Sequence, residues 1–181
     1  MAVTLRATDL SVDALRKAWE ALWVRHDMLR AVYAEEEGAL AQTVRSSKDS
    51  AVPLEMLPDV DDRDEAEALN QLQAKVTLAN PVLVAVAPVS GLVAFVFHHL
   101  VVDAVSWRLL LGDLLSLYMH HKTGLALTLA PKTASFQTWT THLQTWATAP
   151  ALKEAEGPYW ARQFAEGTPT RLPRATGGSS G

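Results

Sequence analysis

VLVAVAPVSGLVAFVFHHLVVDAVSWRLLLGDL, residues 82–114, holds two unbroken apolar runs, a pair of histidines and the start of a helix. The runs, 82–87 and 92–97, are separated by a short break containing Pro88, Ser90 and Gly91. A half-buried strand alternates apolar and polar residues, whereas an unbroken run is covered on both faces. The two runs are therefore predicted to be adjacent central strands, with His99 at or just past the end of the second. Asp103 then opens an apolar helix predicted to reach about Tyr118.

Upstream, residues 61–78 are charged and rich in Ala and Leu, which predicts a helix. The polar stretch before it, with Pro53 and Pro58, reads as a connection. Residues 31–34 and 39–45 flank an acidic EEEG turn and predict a hairpin. Val12, Leu15, Trp19, Leu22, His26 and Leu29 recur at spacings of three and four, which predicts a helix over 12–29 with Ser11 as its N-cap. Residues 2–7 alternate and suit a strand. Downstream, Phe136, Trp139, Leu143 and Trp146 form a helical stripe, and a last helix is predicted over 151–166. Strands lie both next to one another and between helices, so the class is α/β with a mixed sheet and flanking helices. One folded unit is expected over 1–167, followed by a flexible Gly- and Ser-rich tail over 168–181.

Nearly half of the 181 residues, 49%, are hydrophobic and 20% are charged, enough to build a core. The net charge of −4 comes without any basic block, which argues against a nucleic-acid surface. No cysteine is present, so disulfides, thiolate metal sites and a cysteine nucleophile are excluded. No run is long enough to span a bilayer, and the N-terminal residues lack a signal-peptide pattern. The expected location is cytoplasmic, with no membrane partner.

The chemistry-bearing residues sit where the second run ends. Polar, titratable groups at the mouth of a sheet occupy a common position for ligand sites. Neighbouring side chains on a strand point to opposite faces, so only one of His98 and His99 can face a given cleft. Histidine suits acid/base work near neutral pH. Asp103 could cap the helix, pair with a buried cation or orient a histidine. Other readings stay open from the residues alone. A strand-end histidine is often only a packed residue, and His-His-x-x-x-Asp could also bind a metal. Because adjacent side chains diverge, the cluster is expected to be metal-free. An unrelated acyltransferase using histidine and aspartate also fits, although such enzymes are often membrane-associated.

The run from His98 to Trp107 resembles the HHxxxD signature of the nonribosomal peptide synthetase condensation superfamily. Arg25-His26-Asp27-Met28-Leu29-Arg30 resembles the family's upstream RHExLR-type segment. Lys132-Thr133-Ala134-Ser135-Phe136-Gln137-Thr138-Trp139 resembles its KTxSFQxW segment, and Tyr159-Trp160 its YW pair. The HHLVVDAVSWR run, together with LLLGDL and KTASFQTW, resembles epimerization domains more than ordinary condensation domains.

The resemblance implies a chloramphenicol-acetyltransferase-like fold of two lobes, of which this chain is the N-terminal one. It implies that the substrate is an aminoacyl or peptidyl thioester on the phosphopantetheine arm of a peptidyl carrier domain, with no directly bound cofactor. By the resemblance His99 is the catalytic histidine, exchanging the α-proton in epimerization or acting on the attacking amine in condensation. His98 and Asp103 complete the motif in structural roles. In the family the aspartate pairs with an arginine; Arg25 and Arg30 are available here, with a partner in the second lobe as the alternative, and Ser106 and Trp107 belong to the supporting structure. The family usually has glycine after the aspartate, where this chain has Ala104, whose methyl group restricts positive φ. In an epimerization domain the second lobe supplies a glutamate opposite the histidine. A condensation-type segment and an inactive truncated lobe are the alternatives. The 181 residues alone are expected to catalyse neither reaction.

Overall fold

The computed structural model describes residues 1–61, 63–127 and 129–166. The described residues up to 133 form one compact unit, and those from 134 to 166 form another. The expectation of a flexible tail over 168–181 lies outside the described residues.

The first unit is built around the two apolar runs. They form β5 (Val82–Ala87) and β6 (Leu92–Phe97), paired antiparallel with Val84 opposite Phe95. β1 (Ala2–Arg6) pairs with the outer edge of β6, and β4 (Leu54–Met56) pairs in parallel with β5. The sheet order is β1-β6-β5-β4, so the two runs are the central strands. A separate hairpin joins β2 (Ala31–Glu36) to β3 (Ala39–Val44).

Both faces of the central pair are covered, which accounts for the missing alternation. Val82, Val84, Val86, Val93, Phe95 and Phe97 pack with α1 (Val12–Arg25) and α3 (Ala104–Thr123). Leu83, Ala85, Ala94 and Val96 pack with Leu72 of α2 (Glu65–Lys75). Trp19 of α1 is fully buried, and its indole N–H donates to the Pro53 carbonyl at 3.1 Å.

Gly91 makes the β5–β6 turn possible. Its φ is +67°, and a Cβ there would lie 2.0 Å from the Ala7 carbonyl oxygen. That carbonyl belongs to backbone and cannot swing away as a side chain can. Gly91→Ala is expected to cost about 2 kcal/mol in chemical denaturation, from backbone strain plus displacement of the segment after β1. An unfolding midpoint equal to wild type would contradict this packing.

Several boundaries differ from the sequence expectation. The helix expected over 12–29 ends at Arg25, because His26 turns extended with φ −101° and ψ 104°. A 3-10 turn, Asp27–Arg30, then carries Leu29 back into the core, so the apolar spacing continues without the helix. The buried Arg30 side chain enforces the break. It donates to the carbonyls of Trp23 and Val24 and to the Asp27 carboxylate. The expected 61–78 helix is confined to Glu65–Lys75. The connection containing Pro53 holds β4, whose three residues have little pattern of their own. α3 runs past Tyr118 to Thr123 and stops at Gly124, where φ is +74°.

In the second unit, α4 (Phe136–Ala147) starts at Ser135, whose hydroxyl accepts from the Thr138 amide at 3.1 Å. α5 covers Pro150–Glu166. Phe136, Trp139, Trp146, Tyr159, Trp160 and Phe164 are exposed. Among the described residues no helix is long and apolar enough to cross a membrane.

Candidate active site

β6 ends at Phe97, and the next residue still belongs to the sheet's hydrogen bonding. The His98 amide donates to the Pro81 carbonyl at 2.7 Å. A turn then closes, with the Val101 amide donating to the His98 carbonyl at 3.0 Å. The ring of His98 takes part in the same turn, its Nδ1 accepting from the Leu100 amide at 3.2 Å. An accepting Nδ1 carries no proton, which assigns the neutral ring's proton to Nε2. The His98 ring is thus part of the turn's own hydrogen bonding.

His99 occupies the corner of this turn, just past the strand end, and its side chain is exposed. Val101 and Val102 are buried again and pin the far side of the turn. The backbone around the exposed imidazole is thus anchored on both sides.

Asp103 starts α3. Its carboxylate accepts from the Ser106 amide at 2.7 Å and from the Ser106 hydroxyl at 2.6 Å, an N-cap with a second bond added. Hydrogen bonds from the Ser106 hydroxyl and amide hold the carboxyl below the usual carboxylate range, with a smaller contribution from the charge of His99. Because the folded value is depressed, this contribution to stability is present above the unfolded carboxylate pKa and is lost as pH falls through the folded value. Asp103→Asn keeps an acceptor but does not titrate there. The melting temperatures of wild type and Asp103→Asn are expected to converge below about pH 4. A gap that stays constant down to about pH 3 would show that the charge of Asp103 does not support α3.

Trp107, one turn into α3, lies over the last strand residue. Its ring stacks on Phe97 with centroids 4.7 Å apart and planes 19° apart. Phe97 in turn stacks on Trp19, at 5.9 Å and 28°. This column of rings ties α3, β6 and α1 together beneath the histidine turn. The buried indole nitrogen of Trp107 has no hydrogen-bond partner among the described residues.

The two arginines available as partners of Asp103 are engaged elsewhere. Arg25 Nε donates to Asp113 Oδ2 at 2.8 Å, and its Nη2 donates to the Ala130 carbonyl at 2.6 Å. Arg30 closes the end of α1, as described above. Among the described residues no cation pairs with Asp103. Ala104 is the first helical residue of α3, and Glu37 is the only described non-glycine residue with positive φ, so the restriction expected from the Ala104 methyl group does not apply.

Two charged clusters were not expected from the sequence. Asp113 also meets His26 Nε2, at 2.9 Å. Asp27 accepts from both Arg30 and Lys132, each at 2.9 Å. Partial burial pushes the Asp27 carboxyl up, but the hydrogen bonds from Lys132 and Arg30 outweigh it and hold the group below its ordinary value. The lone carboxylate of Asp113 within LLLGDL was the available signal, since a charge on a mostly apolar helix requires a partner.

Among the described residues no three His, Asp or Glu side chains converge as a metal site. A cavity of about 300 Å³ borders the start of β5, between Trp23, Arg45, Lys75 and Asn80. Its lining does not include His98, His99 or Asp103.

A model of the condensation domain family matches residues 1–179. Tyrocidine synthase 2 from Brevibacillus parabrevis is 34% identical over 170 residues, covering 88% of this chain and 5% of that protein. Tyrocidine synthase 1 from the same organism is 32% identical over 181 residues, covering 95% of this chain and 16% of that protein. The chain thus spans a small part of the curated relatives it matches. Among solved structures, the epimerization domain from the third module of tyrocidine synthetase B matches with a TM-score of 0.83 and 31% identity. That match covers 96% of this chain and 41% of that chain. A structure of condensation domain-mediated chain release from the enacyloxin polyketide synthase shares the fold, with a TM-score of 0.68 at 23% identity. The fold is that of the chloramphenicol-acetyltransferase-like condensation-type domains, and this chain spans well under half of them. Sequence and structure agree that the chain belongs to the condensation domain family of nonribosomal peptide synthetases.

Proposed function

We propose that this chain is the histidine-bearing part of an epimerization-type domain. Its substrate is an aminoacyl or peptidyl thioester held on the phosphopantetheine arm of a peptidyl carrier domain. Its partners are that carrier domain and a second lobe completing the site, and its place of action is the cytoplasm.

The observation that carries the reading is the match to an epimerization domain at a TM-score of 0.83 and 31% identity, against 0.68 and 23% for the condensation-type match above. The local geometry supports the same chemistry. The thioester carbonyl acidifies the neighbouring α-C–H bond. His99 takes that proton, the electron pair of the broken C–H bond enters the enolate, and an acid on the second lobe gives a proton to the opposite face of Cα; His99 then releases its proton to water, and the acid takes one back. A base in this role must be held still yet open to the substrate, and His99 combines an exposed ring with an anchored backbone. His98 and Asp103 hold the turn and the helix start, with Ser106 and Trp107 supporting them. Arg25 and Arg30 act at a distance, through the end of α1 and the Asp113 cluster.

The family model itself favours a second reading, peptide-bond formation, in which His99 acts on an attacking amine. One experiment separates the two. A complete domain carrying this segment is incubated with an L-aminoacyl thioester on its carrier domain, with and without an acceptor amine, and the products are resolved by chiral chromatography. Epimerization gives both stereoisomers without the amine. A product that keeps its configuration and forms only with the amine would establish condensation.

A further inference from the structure

We propose that Tyr33 is a positioning residue for His99, acting through the carbonyl of Leu100. This rests on the acid/base reading of His99 and deepens it.

Tyr33 is a buried residue of β2, and its main chain is fixed by its amide donating to the Leu78 carbonyl at 2.9 Å. Its side chain crosses to the histidine turn, where the phenol donates to the Leu100 carbonyl at 2.8 Å. Leu100 directly follows His99. The backbone around His99 and Leu100 is already bonded within the turn: the Leu100 amide donates to His98 Nδ1, and the Val101 amide, in the same peptide unit as the Leu100 carbonyl, donates to the His98 carbonyl. Those contacts are all internal to the turn. The Tyr33 bond comes from another element, 67 residues away in sequence, and fixes the turn relative to the core.

The phenol also lies 3.1 Å from the Gln42 side chain. One phenolic proton serves one strong acceptor at a time. The Leu100 carbonyl, at 2.8 Å against 3.1 Å for Gln42 Oε1, is the nearer acceptor of that proton. Burial raises the Tyr33 pKa above its ordinary value, so the phenol remains a donor throughout the neutral range. A phenylalanine here would fill the same space and leave the Leu100 carbonyl without this donor.

The test uses Tyr33→Phe in two settings. In the 181-residue chain, hydrogen exchange followed by NMR should show the Leu100 and Val101 amides exchanging about tenfold faster, the size of one hydrogen bond's net contribution. Amides of β5 and α1 should be unchanged, and the His99 ring resonances should shift. In a complete domain carrying this segment, Tyr33→Phe should lower kcat for α-proton exchange about tenfold and leave KM for the carrier-bound substrate within about twofold. The double variant Tyr33→Phe/His99→Ala should be no slower than His99→Ala alone, because Tyr33 acts only through His99. Unchanged exchange in the turn, or loosening spread over the whole chain, would overturn the proposal. So would additive losses in the double variant. Full turnover in His99→Ala would instead sink the acid/base reading, while the exchange result still reports whether Tyr33 anchors the turn.

Discussion

Replacing His99 by alanine in a complete domain is expected to lower the rate of α-proton exchange by about a thousandfold, the middle of the range for a positioned general base. Folding should hardly change. The His99 side chain is exposed, and the turn around it is held by backbone bonds, by the ring of His98 and by buried Val101 and Val102. Binding of the carrier domain should also survive, because docking and proton transfer are separate interactions. His98→Ala offers the contrast. It removes the ring nitrogen that accepts from Leu100, so it should loosen the turn and reduce turnover by a smaller factor, with a measurable loss of stability. Steady-state kinetics and thermal melts of the two variants check both statements. Equal losses of turnover at His98 and His99, with unchanged melts, would contradict the separate roles assigned here.

The largest structural effect is expected at Trp107. Trp107→Ala should destabilise the chain by about 4 kcal/mol, the usual range for removing a large buried aromatic side chain. The ring is 7% exposed and forms the α3 end of the column through Phe97 to Trp19. Truncation opens a void directly beneath the turn that carries His99. Trp107→Phe keeps an aromatic face against Phe97 and removes an indole N–H that has no described partner. Since a buried donor without an acceptor stabilises nothing, the phenylalanine variant should lose about 1 kcal/mol, mainly from reduced packing. Urea unfolding of both variants measures the difference. A phenylalanine variant as unstable as the alanine one would show that the indole N–H is bonded after all.

The central hairpin and the position of His99 were legible because their signals are local. Two apolar runs of strand length, a break containing proline and glycine, and a histidine directly after the second run specify adjacent strands with His99 at the end. The helix start at Asp103 was legible for the same reason, since an N-cap acts over about three residues. What escaped the sequence depends on partners far away in the chain. β4 is a strand because Leu54–Met56 lies beside Val84–Val86, and three residues between prolines carry little pattern of their own. α1 stops at Arg25 because Arg30 reaches back to its last carbonyls, while the apolar spacing alone runs on to Leu29. Arg25 answers Asp113, 88 residues away, instead of Asp103. The family pattern made Arg25 and Arg30 candidates for the aspartate of the motif, but only the three-dimensional arrangement assigns charge pairs. Tyr33 gave no signal beyond an aromatic residue in a strand, because its role is one hydrogen bond to a distant carbonyl.

The most direct measurement follows Cα itself. A carrier-bound L-aminoacyl thioester is incubated in D₂O with a complete domain carrying this segment, without any acceptor amine, and deuterium at Cα is followed by mass spectrometry. Wild type should take up deuterium and give both stereoisomers, while His99→Ala should remain at the level of the carrier domain alone. Deuterium uptake undiminished in His99→Ala, or no uptake by a wild-type domain that binds the carrier, would contradict the assignment of His99 as the residue that moves the α-proton.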